Sequence, residues 1–310
     1  MSLRPIVEAL GGELYDRGRR ANIPGPGHGP NDRSVSLLLE GDRVVAHSFG
    51  RSDWRQVLDY LRAEQLIDGA NAVIGGGGPR RIGAPVGDTP TDVERRAAAQ
   101  RLWDAARPLA GTLSARHCRL RGIVRDLPGP GALRHHGAAP VSIYRPARIL
   151  RPALLAGILD AGGRLTAVEI TYLAANGARA LDLRLPRKTI GPPRAGSAVR
   201  LDPAEAEMLV AEGVFTALSA SEWFGLPAWA LLSTRNLRTW SAPDGVRSVL
   251  IAADRGRDGE ASAAQLRARL AGDGVAASIA LPPAPFGDWN EWSQGRTRVG
   301  QETKGRAPAT

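Results

Sequence analysis

A single cysteine, Cys118, stands in a chain of 310 residues. One thiol cannot build an internal disulfide, which points to a reducing compartment and a cytoplasmic protein. No run of 18 apolar residues occurs, so no membrane span is expected. The opening Met-Ser-Leu-Arg-Pro lacks the apolar core of a secretory leader. Lysine is almost missing: Lys188 and Lys304 are the only two among 41 basic residues. A GC-rich genome produces that preference for arginine, but not the excess of positive over negative charge. The net charge of +10 and the pI of about 10.9 favour a polyanionic partner. No internal repeat is visible, and no Gly-x-x-x-x-Gly-Lys-Ser/Thr phosphate-binding motif occurs.

What is present suffices for real cores. Hydrophobic residues make up 43% of the chain, and the length suits about two domains. The most informative pattern comes twice. Glu207-Met208-Leu209-Val210-Ala211 reads as a strand ending at Glu212-Gly213, followed by a helical pattern through Val214, Ala217, Leu218 and Trp223. Val249-Leu250-Ile251-Ala252-Ala253 ends at Asp254, then Arg255-Gly256-Arg257-Asp258-Gly259 and a second helix. Strand, acid, glycine turn and helix in repetition describe a parallel α/β sheet, whose ligands bind beyond the carboxyl ends of its strands. Two carboxylates meeting there repel by roughly 4 kcal/mol at ~4 Å and an effective dielectric of ~20. A divalent cation relieves that repulsion.

Residues 1–68 read as a compact unit. Ser34–Glu40 and Arg43–His47 straddle Gly41-Asp42 as a hairpin, and Asp53 caps a helix through Val57, Leu58 and Leu61. Residues 69–90, with Gly75-Gly76-Gly77-Gly78-Pro79, read as a linker. A mixed α+β region spans 91–199. It opens on a helix with Asp92 as N-cap, continues in short helices and loops around 110–160, and ends in a hairpin. The arms of that hairpin are Arg164–Tyr172 and Ala180–Leu185, turning at Asn176-Gly177. The α/β domain spans 200–295, with a further apolar run from Val275 to Leu281. The polar tail, 296–310, is expected to be disordered.

Ala211-Glu212-Gly213-Val214-Phe215-Thr216-Ala217-Leu218-Ser219, then Leu250-Ile251-Ala252-Ala253-Asp254, then Gly287-Asp288-Trp289-Asn290, resemble the Toprim domain of phage- and plasmid-type DNA primases. The resemblance implies a Rossmann-like parallel sheet with a glutamate after the first strand and an Asp-x-Asp pair after the third. These acids bind Mg²⁺ for phosphoryl chemistry. It implies Glu212 and Asp254 as catalytic residues, and Glu212, Asp254, Asp258 and Asp288 as ligands of Mg²⁺ or Mn²⁺. Two positions depart from the family pattern. Gly256 stands where the second aspartate belongs, leaving Asp258 as a displaced candidate. Phe215 stands where close relatives often carry glutamate.

The first unit resembles the zinc ribbon of bacterial and phage primases, with its cysteines gone. Gly25-Pro26-Gly27-His28 and Ser48-Phe49-Gly50-Arg51 fill the two ligand knuckles. Four closed ligands are needed for a structural zinc, so no zinc is expected, and packing of Trp54, Leu58 and Leu61 on the hairpin is expected to replace it. The middle region resembles the primase core, through Ile143-Tyr144-Arg145-Pro146 and Pro186-Arg187-Lys188-Thr189-Ile190-Gly191-Pro192. There Arg187 and Lys188 are expected to clamp phosphate. Arg235, in the strand-to-helix turn Ser233-Thr234-Arg235-Asn236, is a further anion contact, and Arg33 and Arg51 are candidate template contacts.

The implied activity is synthesis of short RNA primers on single-stranded DNA from nucleoside triphosphates, beside a separate replicative helicase. A metal-dependent Toprim nuclease and a catalytically decayed DNA-binding accessory protein remain as alternatives. A topoisomerase is disfavoured, because Tyr15, Tyr60, Tyr144 and Tyr172 all lie outside a nucleophile context.

Overall fold

The computed structural model describes residues 2–26, 33–48, 54–74, 90–144, 147–183 and 185–304. The chain divides into two compact units, Met1–Thr89 and Pro90–Thr310.

In the first unit, α1 (Arg4–Leu10) precedes a four-stranded antiparallel sheet of β1 (Glu13–Tyr15), β2 (Arg20–Ile23), β3 (Val35–Glu40) and β4 (Arg43–Ser48), in that order. Helix α2 (Trp54–Ala63) buries Val57, Leu58 and Leu61. The β3–β4 pairing, with Glu40 opposite Arg43, follows the hairpin read from the sequence. Alternation along β3 sends Val35, Leu37 and Leu39 into a core shared with Leu3, Ile6, Ile23 and Val57. Trp54 is not part of that core: it is 48% exposed, with Arg55 stacked on its ring. Part of the segment read as linker also folds here. Val44 N–H donates to Asn71 O (2.8 Å), Ala72 bridges Arg43, and Val73 is buried, so residues 69–74 cover the edge of β4. Both knuckle positions, His28 and Arg51, and the expected cap Asp53, lie outside the described residues.

The second unit opens on α3 (Asp92–Asp104). Its N-cap is Thr91, one residue before the expected Asp92, in a reciprocal capping box with Glu94. Helix α4 (Leu113–Leu120) follows. Then β5 (Leu133–Pro140), β6 (Leu150–Leu159), β7 (Leu165–Tyr172) and β8 (Arg187–Ile190) form an antiparallel sheet in that order. Two long strands therefore stand where the sequence suggested short helices and loops. Residues Ala153–Ile158 of β6 are buried without interruption, because both faces are covered. Leu154, Ala156 and Ile158 meet the core that holds Cys118 of α4, while Ala153 and Leu155 meet Trp103 of α3. Gly157 makes room for the Trp103 ring, which an added Cβ would meet at 2.8 Å. The hairpin expected at Asn176-Gly177 forms only a short stub, with Leu173 bridging Arg179 and Ala180 N–H on Tyr172 O (2.9 Å). The strand that pairs β7 along its length is Arg187–Ile190 and not Ala180–Leu185.

The remaining elements are β9 (Val199–Arg200), β10 (Glu207–Ala211), α5 (Val214–Phe224), β11 (Ala228–Ala230), α6 (Thr234–Thr239), β12 (Ser248–Ala252), α7 (Arg257–Gly272), β13 (Ala276–Ala280) and α8 (Trp289–Lys304). The sheet order is β13-β12-β10-β11-β9, parallel except for the edge strand β9. Alternate residues of β10 feed two cores. Leu209 and Ala211 pack with Ala217 of α5 and Trp289 of α8, while Met208 and Val210 pack with Leu237 of α6 and Leu266 of α7. An isolated bridge, Leu159 to Ala198, ties this sheet to the antiparallel one. Helix α8 runs on to Lys304, past the point near Gly295 where composition suggested a disordered tail.

Candidate active site

Strands β10 and β12 are adjacent and parallel, with Ala211 opposite Ala252, so the acids that follow them emerge at one rim. Asp288 reaches that rim from the loop after β13, where Arg255 N–H donates to Gly287 O (2.7 Å) and fastens the loop beside Asp254. Burial, and then the charges of Asp288 and Glu212, push Asp254 up to about 7. Its Oδ1 is buried with no hydrogen-bond partner. Burial also raises Glu212, with Asp258 adding to the rise and Arg187, Arg238 and the Thr234 N–H opposing it. Asp288 Oδ1 accepts from Glu291 N–H (2.7 Å) at the start of α8.

The structure explains the glycine in the Asp-x-Asp position. Gly256 sits at φ 118°, ψ 160°, a region essentially restricted to glycine. An aspartate there would be strained whatever space surrounds it. Three residues on, an added Cβ at Gly259 would meet Asp254 O at 2.5 Å, so the first turn of α7 lies directly against the Asp254 backbone. Asp258 belongs to that first turn and is exposed, in an ion pair with Arg238. Its charge raises Glu212, whereas the charges that raise Asp254 are those of Asp288 and Glu212.

Arginines from the region before the α/β sheet act on these acids through their charge. Arg187, on β8, pairs loosely with Glu169 (3.9 Å) and its charge reaches Glu212. Lys188 does not share its face. Side chains alternate along a strand, and the Lys188 ammonium turns inward to Val141 O (2.6 Å), over the Tyr172 ring. The two therefore cannot grip one phosphate. Burial, and then the positive charge of Arg179, pull Arg121 below its ordinary value, with Asp288 opposing. Arg121 was missed in the sequence, where nothing separates it from Arg116 and Arg119. Its Nε donates to Asn290 Oδ1 (2.7 Å) and its guanidinium lies 4.6 Å from the Phe215 ring centre. His117 meets the same ring edge-on at 5.4 Å, so Phe215 serves as a packing platform.

Arg235 is exposed on α6. This helix has six residues, and its early amides are already engaged: Thr234 N–H by Glu212 and Asn236 N–H by Ser233 Oγ (3.2 Å). Its amino terminus is therefore no free anion site. Arg33, in the first unit, lies 3.9 Å from Glu13.

Residues 207–298 match the Toprim domain family. They are a Toprim domain. Residues 93–201 match a domain of unknown function (DUF7146), and no curated protein gives a significant match. Several solved primases are similar to the chain. The primase fragment of the bacteriophage T7 primase-helicase protein is 15% identical, with a TM-score of 0.36, over 49% of this chain and 62% of that one. The chain thus spans less than two thirds of that fragment. The zinc-binding and RNA polymerase domains of the Aquifex aeolicus primase are 14% identical, with a TM-score of 0.43, over 97% and 82% of the two chains. The RNA polymerase domain of Mycobacterium tuberculosis primase DnaG is 15% identical, with a TM-score of 0.39, over 68% and 80%.

Toprim domains generally bind Mg²⁺ through acidic residues. Among the described residues no three His, Cys, Asp or Glu side chains already close around an ion. The orphaned Asp254 Oδ1, crowded by two further carboxylates, nevertheless fits a cation of this kind. Mg²⁺ takes one or two carboxylates and completes its octahedron with water and phosphate oxygens, needing no protein cage. Among the described residues no helix is long and apolar enough to cross a membrane.

Proposed function

We propose that this protein is a primase-like nucleotidyltransferase that makes short RNA primers on single-stranded DNA from nucleoside triphosphates. The observation that carries the reading is the buried, unpartnered Asp254 carboxylate oxygen at the carboxyl rim of a Toprim sheet, in a group whose proton affinity is raised by burial and then by Asp288 and Glu212. Asp254 and Asp288 would hold Mg²⁺ or Mn²⁺, with Glu212 as a further ligand or as acceptor of the proton of the attacking hydroxyl. Such an ion, when bound, neutralises charge on the triphosphate and its leaving pyrophosphate. Arg187, Arg179 and Arg121 act on one another through their charges, with Arg187 also reaching Glu212 and Arg121 reaching Asp288. Their mutual repulsion, offset by Glu169 beside Arg179 and by Asp288 beside Arg121, favours a further anion between them. Arg187 and Arg121 would accordingly hold template or nucleotide phosphate, whereas Lys188 supports the strand. A separate replicative helicase would supply the single-stranded template.

The test is primer synthesis on single-stranded DNA with labelled nucleoside triphosphates and Mg²⁺ or Mn²⁺. Short labelled RNA is expected from the wild type, and its loss in Asp254→Asn and Glu212→Gln. Shortened DNA without added nucleotides would assign a nuclease instead. Salt-sensitive DNA binding with neither product would assign an accessory protein.

A further inference from the structure

A cavity of about 410 Å³ lies between the Toprim domain and the β8–β9 turn, within the size range of small-molecule sites. Its floor is apolar, formed by Ile158, Leu231 and Leu232. Its mouth carries Arg194 and Arg235, both exposed, and neither guanidinium has a hydrogen bond or salt bridge among the described residues. Asp160, whose charge Arg194 feels, pairs with Arg164 (3.2 Å). Two guanidiniums without hydrogen-bond or salt-bridge partners over an apolar slot match a ligand with a flat apolar body and an anionic end.

The cavity adjoins the acidic rim through its own wall. Leu232 N–H donates to Glu212 O (2.7 Å), and the amide two residues on, of Thr234, serves the Glu212 carboxylate. Leu232 holds φ 69°, a left-handed conformation costly for a branched apolar residue and concentrated at functional sites. On the other side Thr189 lines the cavity, and period-two alternation on β8 puts Arg187 on the same face as Thr189.

We infer that this cavity is the subsite for the base and sugar of a nucleoside triphosphate, with Arg194 and Arg235 at its phosphates. The inference deepens the proposed function and rests on it only for the fate of the bound nucleotide. Ala195, exposed on the lining, gives a way to fill the slot from outside without disturbing the core.

The experiment is equilibrium binding of ATP and of inorganic tripolyphosphate by titration calorimetry in EDTA, so that no metal contributes. Ala195→Phe is expected to weaken ATP about tenfold and tripolyphosphate less than about twofold, while Arg235→Ala weakens both about tenfold. Equal effects of Ala195→Phe on the two ligands, no effect on either, or no ATP binding to the wild type would overturn the subsite. Arg235→Ala, at an exposed position, keeps the test valid if the phenylalanine variant folds poorly. Primer synthesis run in parallel separates the two readings. ATP binding that obeys both variants without primers from the wild type leaves the subsite standing and removes the transfer reading. Primer synthesis whose nucleotide KM ignores both variants removes the subsite alone.

Discussion

Arg121 and Asn290 hold each other across 169 residues of sequence. Arg121 Nε donates to Asn290 Oδ1 (2.7 Å), and Asn290 Nδ2 donates back to Arg121 O (2.7 Å) and to Ser219 Oγ (2.9 Å). The pair fixes the end of α4 onto the Toprim domain next to Asp288, with Asn290 wholly buried. Truncating Asn290 strands a buried guanidinium, a carbonyl and a hydroxyl together. Asn290→Ala is expected to lose about 2–4 kcal/mol in chemical denaturation. A loss under about 0.5 kcal/mol would show that the pair does not hold the two regions together.

Gly256 and Gly259 make a second, separable prediction. Restoring the family aspartate with Gly256→Asp is expected to cost about 1–3 kcal/mol through backbone strain, and not to raise activity. Gly259→Ala drives a methyl toward Asp254 O and is expected to lower metal-dependent activity more than its effect on stability explains. Melting temperature and turnover measured on the same preparations check both statements.

The two basic residues of β8 should behave differently. Arg187→Ala is expected to weaken single-stranded DNA or nucleotide binding and to reduce its salt dependence. Lys188→Met keeps the buried stem and is expected to leave the salt slope unchanged, affecting mainly stability. Fluorescence polarisation with labelled DNA at several salt concentrations distinguishes them. Equal loss of slope in both variants would contradict the inward turn of the Lys188 ammonium.

His117 supplies a pH dependence. It is 2% exposed and pushed down to about 4, chiefly by burial, against 6.5 for a free imidazole. Above 6.5 both folded and unfolded chains carry it neutral. Between 6.5 and about 4 the unfolded chain binds the proton first, so stability falls as pH falls, by up to about 3 kcal/mol, and this contribution levels off below 4. His117→Gln is expected to flatten that part of the stability profile. An unchanged slope in the variant would assign the dependence to other groups.

Much of the Toprim domain was legible in the sequence because its strands, acids and glycine turns fall in fixed order. Glu212, Asp254 and Asp288 follow β10, β12 and β13 as that order implies. Strand β6 was hidden by its own burial: with apolar neighbours on both faces, Ala153–Ile158 show no alternation to read. Strand β8 was displaced because the hairpin at Asn176-Gly177 is real but stops at Ala180, and the chain makes an excursion before Arg187–Ile190 pairs β7. Arg121 could not be found, since its partner lies in another domain and only tertiary contact distinguishes it. The Arg187-Lys188 pairing failed for the simplest reason, that neighbours on a strand face opposite ways.

The central claim is that Asp254 is held ready for a divalent cation. Its raised proton affinity means that the stability of the uncharged form, full below about pH 4, is lost as pH rises through about 7. The most direct measurement is thermal unfolding at pH 8 of wild type and Asp254→Asn, in EDTA and in millimolar Mg²⁺. In EDTA the variant should be more stable by about 1–3 kcal/mol, allowing for solvent screening of a half-buried group. Added Mg²⁺ should raise the wild-type Tm and leave the variant where it was. A wild type indifferent to Mg²⁺, with a variant less stable than it in EDTA, would contradict the account.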